Sequence, residues 1–167
     1  FATLESGFIQ FSANRNILFK KLLDCCVTCI CWYSVGYAIA FGPGNAFVGG
    51  DDNGFFFLIG HSLRSRNRTE EIRTACQLND RVGHWSFQLM FAAVATTIVS
   101  GAVAQRAKFQ GYLIFTAVMA TLIYPMVVHW VWSDYGFLNG SAPTAALLGG
   151  CLDFAGGFAV HTCGGIC

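Results

Sequence analysis

The sequence predicts an all-α membrane protein, a polytopic helical bundle, from three observations. Of its 167 residues 54% are hydrophobic and only 11% charged, where a soluble domain carries about 25% charged residues. The mean hydropathy is +0.52. The apolar residues gather into runs of about 20 residues or more, the length at which a helix spans a hydrocarbon core, with polar links between them. The lipid bilayer is therefore the first expected partner. The net charge of +1 gives nothing with which to hold a nucleic acid, whose binding needs a basic face. The chain opens on Phe1 and stops inside an apolar run, so we read it as part of a longer polypeptide, and no cleavable leader is identified.

Each element follows from its composition. Residues 1–11 read as the end of a first helix, with Glu5 as its only charge. Residues 12–21 form a polar link holding Arg15, Lys20 and Lys21 and no acid. Residues 22–41 are the second helix, with Asp24 near its start, and Gly42-Pro-Gly44 ends it because Gly and Pro break helices and favour turns. Residues 42–81 read as a long polar connection balancing five Arg against five acids. Within it Asp51-Asp-Asn-Gly54 faintly resembles a calcium loop but lacks the rest of that pattern and reads as a solvated turn. Phe55 to Ile59 is apolar and too short to span. Residues 82–104 are the third helix, uncharged unless His84 protonates, and residues 109–132 the fourth, with Pro125 inside and His129 near the end. Trp130, Trp132 and Tyr135 suit an aromatic belt at the membrane surface. Residues 142–167 read as the fifth helix.

The eight cysteines do not read as a metal site or a disulfide framework. Cys25, Cys26, Cys29 and Cys31 cluster, but in an apolar helical run without turn residues or a partner His, where thiols behave as small hydrophobes. No cofactor and no catalytic group is indicated, and the chain does not read as an enzyme.

The polar residues of the last apolar run carry the functional argument. Apart from thiols, Asp153 and His161 are its only ionisable side chains. Ionisable groups at membrane depth are costly and mark ion or proton paths by default; a polar clasp between helices is the competing reading. On one continuous helix the eight-residue interval is a rise of about 12 Å. Gly149, Gly156 and Gly164 would then share a face with Asp153, letting another helix approach closely.

Orientation follows from the links. Basic residues are denser in the two short links, which places those on the cytoplasmic side. Two glycosylation sequons, Asn67-Arg-Thr69 and Asn139-Gly-Ser141, fall on the opposite side.

Several stretches occur in a recognisable order: Phe87-Gln-Leu-Met-Phe91, Gly101-Ala-Val-Ala-Gln-Arg106, His129-Trp-Val-Trp132 and Asp153-Phe-Ala-Gly-Gly-Phe-Ala-Val-His161. With Ser12-Ala-Asn-Arg-Asn16 and Gly36-Tyr-Ala-Ile-Ala-Phe-Gly42 they resemble the ammonium transporter (Amt) family. That resemblance implies an eleven-helix fold, a homotrimer, one pore per subunit, and a location in the plasma membrane. This chain would hold the end of the first helix through most of the fifth. It implies ammonium or ammonia as substrate, Trp132 and Asp153 at the external recruiting site, Phe91 as one gate ring, and His161 as one pore histidine and proton relay. Gln105 departs from the family, which usually has Glu there. By residue type alone Trp132 suits either an interfacial anchor or a cation site, and Phe87 and Phe91 are simply two aromatics one turn apart. A Rh-type channel for ammonia or carbon dioxide shares the Asp-to-His pattern, though Trp132 argues against it. An ammonium sensor with little transport uses the same residues.

Overall fold

In the computed structural model the described residues are 1–50, 68–103, 106–141 and 147–167, with the backbone alone over 68–79 and at 148. The architecture is helical throughout, and among the described residues the only β-type pairings are isolated bridges.

Helix α1 is Ala2–Phe8. Helix α2 runs Phe11–Phe41 and opens with a 3₁₀ turn over Phe11–Ala13. Its regular portion, Asn14–Cys31, leads through a π turn, Trp32–Gly36, to a last stretch, Tyr37–Phe41. Helix α3 is Arg68–Val103. Helix α4 runs Phe109–Trp132, with a π turn over Met119–Ile123. Helix α5 is short, a π turn over Gly157–Thr162 followed by Cys163–Ile166. Three segments, Phe11–Phe41, Asp80–Val103 and Phe109–Trp132, are long and apolar enough to cross a membrane.

Three of these elements differ from the sequence reading. Helix α2 includes the polar link expected at 12–21, because its lysines find partners on other helices. Helix α3 begins at Arg68, inside the expected 42–81 connection. The largest difference lies in residues 142–167, expected as one helix. Among the described residues, Leu147–Gly149 is a 3₁₀ turn and helix resumes only at Gly157. The reason is local: Gly149, Gly150 and Gly156 all take positive φ (85°, 79° and 79°), a conformation that ends or precedes a right-handed helix. The shared glycine face therefore does not exist. Only Gly164 makes the close approach: a Cβ there would lie 2.8 Å from the carbonyl oxygen of Ala95 on α3.

The π turns of α2 and α4 face each other. Gly36 in α2 lies against Ala120 in α4, where a Cβ would fall 2.6 Å from that residue's carbonyl oxygen. Pro125 is the second residue after the π turn of α4. A proline has no N–H for the residue four before it, and a local π widening is a usual accommodation. Around this crossing the core is built from Trp32, Tyr37, Met119, Tyr124, Val128 and Val160, with small Ala92 and Ala95 of α3 filling between them.

A buried polar layer joins α1 to α4 at the other end of the bundle. Lys21 Nζ lies 2.5 Å from Glu5 Oε1 and donates to Ser100 Oγ and to the Thr97 carbonyl. The pair is 9% and 12% exposed. Asp24, at 0% exposure, accepts at Oδ2 from Thr97 Oγ1 (2.7 Å) and from the Tyr112 phenol (2.9 Å). Lys20 Nζ sits over the Tyr112 ring. Polar groups at membrane depth must find partners inside the protein, and here Glu5, Lys21 and Asp24 Oδ2 find them between helices.

Candidate functional site

The turn that closes α4 positions the first site residue. His129 is fully buried, its Nδ1 and Nε2 lying 2.9 and 2.8 Å from the carbonyl oxygens of Ala40 and Asn45. Trp130 Nε1 donates to the Phe47 carbonyl. These bonds fix the 42–50 turn against α4. Gly136 folds the chain back so tightly that a Cβ would lie 2.1 Å from the His129 carbonyl oxygen. Trp130 is thus an anchor, and Trp132, two residues on, faces elsewhere.

Trp132 Nε1 donates to the backbone carbonyl of Asp153 at 2.6 Å. The indole polar edge is spent on that bond, which fixes the ring and leaves its faces for other contacts. Phe91 of α3 meets it edge-on, with centroids 5.8 Å apart at 74°. Phe87, one turn away, packs on Phe91 at 5.1 Å and 70°. A cavity of about 310 Å³ opens here, lined by Phe41, Phe87, Phe91 and Trp132, with His84, Gln88, Asp153 and Phe154 completing it.

The Asp153 carboxylate is engaged by backbone amides at the edge of this cavity. Its Oδ1 accepts from Gly157 N–H (2.8 Å), and its Oδ2 from Phe158 N–H (3.0 Å) and Ala159 N–H (2.8 Å). The first amides of a helix have no partner within the helix, and a carboxylate there also meets the positive end of the helix dipole. Gly156, at φ 79° and ψ 25°, turns the chain from Asp153 into α5. A Cβ at Gly156 would approach Val160 Cγ2 to 2.7 Å and the Trp132 ring to 3.4 Å.

The structure thus brings Trp132, Phe91 and Asp153 together. His161 lies one turn into α5, with an exposed ring that makes no hydrogen bond to a described residue. Asp153 and His161 are not two points on one continuous helix, so the 12 Å rise does not apply. Asn139 is buried; its Nδ2 donates to the Ser133 carbonyl and its Oδ1 accepts from Ser141 N–H. That amide nitrogen, the atom a glycan would occupy, is engaged in the fold, which argues against Asn139 as an acceptor. Asn67, Gln105, the 51–54 motif and the apolar stretch 55–59 lie outside the described residues.

The sequence reading left two features unassigned. The Glu5–Lys21 pair was invisible because its partners stand on different helices; the only signal was an acid and two lysines flanking apolar runs. The helix-capping role of Asp153 had one available signal, the Gly156-Gly157 pair just after it, which breaks a helix more readily than it packs one.

Comparison with known proteins adds three likenesses and a family. The model of the Ammonium Transporter Family matches residues 1–167. The chain is 37% identical to ammonium transporter Amt2 of Archaeoglobus fulgidus over 167 residues, covering 99% of this chain and 32% of that protein. It is 34% identical to ammonium transporter 3 of Dictyostelium discoideum, covering 99% of this chain and 32% of that one. A solved structure named Sensor Amt Protein superposes with a TM-score of 0.72 at 29% identity, covering 98% of this chain and 36% of that one. The chain spans about a third of the length of the curated relatives it matches.

Proposed function

The chain belongs to the Ammonium Transporter Family, and on that footing we propose that it builds the outer recruiting site and part of the conduit of a multi-pass transporter for ammonium or ammonia. Ammonium is recruited on the face of Trp132 and splits into neutral ammonia, which passes beyond Phe91 toward His161, and a proton, which is relayed inward with the help of His161, so that one charge crosses per ammonium. The observation that carries this reading is the Trp132–Asp153 hydrogen bond. It commits the indole N–H to the backbone and leaves the π face, which attracts cations through its quadrupole, beside an aromatic-walled cavity.

The remaining steps follow from chemistry. A cation in hydrocarbon is costly, and ammonia without its extra proton is far less so. Phe91, stacked edge-on between Phe87 and Trp132, is placed to exclude hydrated ions. An imidazole offers one donor and one acceptor nitrogen, so His161 can hold ammonia and relay a proton. Assembly as a homotrimer, residence in the plasma membrane, and glycosylation at Asn67 belong to the same reading.

The test is Trp132→Leu in the intact transporter containing this chain. A desolvated cation–π contact is worth about 2 kcal/mol, which corresponds to roughly 30-fold in affinity. The half-saturating ammonium concentration should rise by about that factor with surface protein unchanged. An unchanged half-saturation would remove Trp132 from the recruiting site. A sensor reading is favoured by one observation, the likeness to a structure named as a sensor. A sensor would bind with the same Trp132 dependence but carry little ammonium-evoked current.

A further inference from the structure

The cavity beside Trp132 holds polar groups that neither the recruiting face nor the gate uses. His84, Phe87, Gln88 and Phe91 stand at i, i+3, i+4 and i+7 on α3 and so share one face of the helix. The interval from His84 to Phe91 is about 10 Å of helix. All four line the same cavity as Trp132.

The His84 ring is held. Its Nδ1 lies 2.9 Å from the Tyr37 phenol oxygen of α2. Phe41 meets it edge-on with centroids 4.7 Å apart, and Tyr37 packs on it at 5.8 Å. With Nδ1 committed to Tyr37, Nε2 is the ring nitrogen left for the cavity. The tautomer with its proton on Nδ1, donating to the phenol oxygen, leaves Nε2 as an acceptor. Gln88, one turn along, is buried, and its Oε1 has no hydrogen-bond partner among the described residues. A buried carbonyl oxygen without a donor is costly. An aromatic-walled cavity with an imidazole acceptor and an amide lacking its donor suits a small cation rich in N–H groups.

We propose that His84 is a substrate-binding residue of the outer vestibule, accepting a hydrogen bond from ammonium through Nε2 before the cation reaches the Trp132 face. This rests on the recruiting function proposed above. An alkali ion of similar size has no N–H to donate, so His84 contributes to selectivity as well as to affinity. Protonation converts Nε2 from acceptor to donor and places a positive charge beside the incoming cation, so recruitment weakens as the ring charges on acidification. Among the described residues, the charged and titratable groups nearest the ring are Tyr37 from α2, Asp80 and Arg81 about one turn before it on α3, and Asp153, which lines the same cavity. Arg81 also acts on the Tyr37 phenol.

The experiment compares ammonium-evoked currents of the intact transporter as wild type, His84→Leu and His84→Gln, at pH 7.5 and at pH 5.5, normalised to surface protein. His84→Leu should raise the half-saturating ammonium concentration roughly tenfold, the loss expected for one hydrogen bond to a charged ligand, with maximal current unchanged. His84→Gln, which keeps an acceptor, should stay near wild type at pH 7.5. The rise in half-saturation from pH 7.5 to 5.5 should be smaller in His84→Gln than in wild type. Unchanged half-saturation in His84→Leu, or identical pH dependence in wild type and His84→Gln, overturns the inference while leaving recruitment at Trp132 intact. Absence of saturable ammonium current or binding in the wild type would instead sink the underlying function.

Discussion

Removing the Asp153 carboxylate should act on the start of α5 before it acts on chemistry. Its two oxygens satisfy the N–H groups of Gly157, Phe158 and Ala159, and its own carbonyl holds the Trp132 indole. Losing an N-cap side chain costs about 0.5–2 kcal/mol. Ala159 is fully buried, so its amide, which water cannot easily reach, adds about 1–3 kcal/mol when left unpaired. Asp153→Ala should therefore destabilise by about 3 kcal/mol. Asp153→Asn should cost less, about 1–2 kcal/mol, because one oxygen can still accept from Phe158 and Ala159 while the amide nitrogen meets Gly157. The assay is thermal unfolding of the purified intact transporter, read beside uptake normalised to surface protein. The expected order of midpoints is wild type, then Asn, then Ala, with uptake falling in the same order. Wild-type thermal stability in Asp153→Ala together with abolished uptake would refute the capping argument and make Asp153 a direct ligand.

Other outcomes follow from the same geometry. Lys21→Met should cost about 3–5 kcal/mol because it strands the buried Glu5 carboxylate, whereas Glu5→Met with Lys21→Met should recover most of that; thermal midpoints of the single and double variants decide it. Gly36→Ala pushes a Cβ to 2.6 Å from the Ala120 carbonyl oxygen, a backbone atom that cannot swing aside, and should lower stability by about 1–3 kcal/mol, read as a shifted midpoint. His161→Leu should fold and reach the membrane but lose electrogenic ammonium transport, and His161→Glu should retain more current with altered selectivity against potassium; wild-type current in the Leu variant would make His161 a packing residue.

The apolar runs made the bundle legible, since the spans rest on the plain cost of burying charge in lipid. Lys108 and Ser133 flank a stretch without a single Asp, Glu, Lys or Arg, and so its limits stand out in the sequence. The start of α2 was hidden for the opposite reason. Lys20 and Lys21 look like a solvated link until Glu5, Ser100 and Tyr112 are brought alongside them, and no local pattern announces partners on other helices. The stretch before α5 is ambiguous in the sequence because glycines in an apolar run fit both a tightly packed helix and a left-handed turn. Hydropathy does not distinguish the two, whereas the positive φ at Gly149, Gly150 and Gly156 does. At the site, Asp153 stands out by residue type and Trp132 and Phe91 only through the resemblance, and the engagement of the Asp153 carboxylate with the amides of α5 has no signature in hydropathy.

The central claim is that this chain contributes a recruiting site and path for ammonium. Its most direct test is the current of the intact transporter reconstituted in liposomes, measured with ammonium and with potassium at equal concentration. A recruiting site selective for N–H donors gives a saturable, ammonium-evoked current with little response to potassium. Equal currents with both ions, or none with ammonium at any concentration, would contradict it.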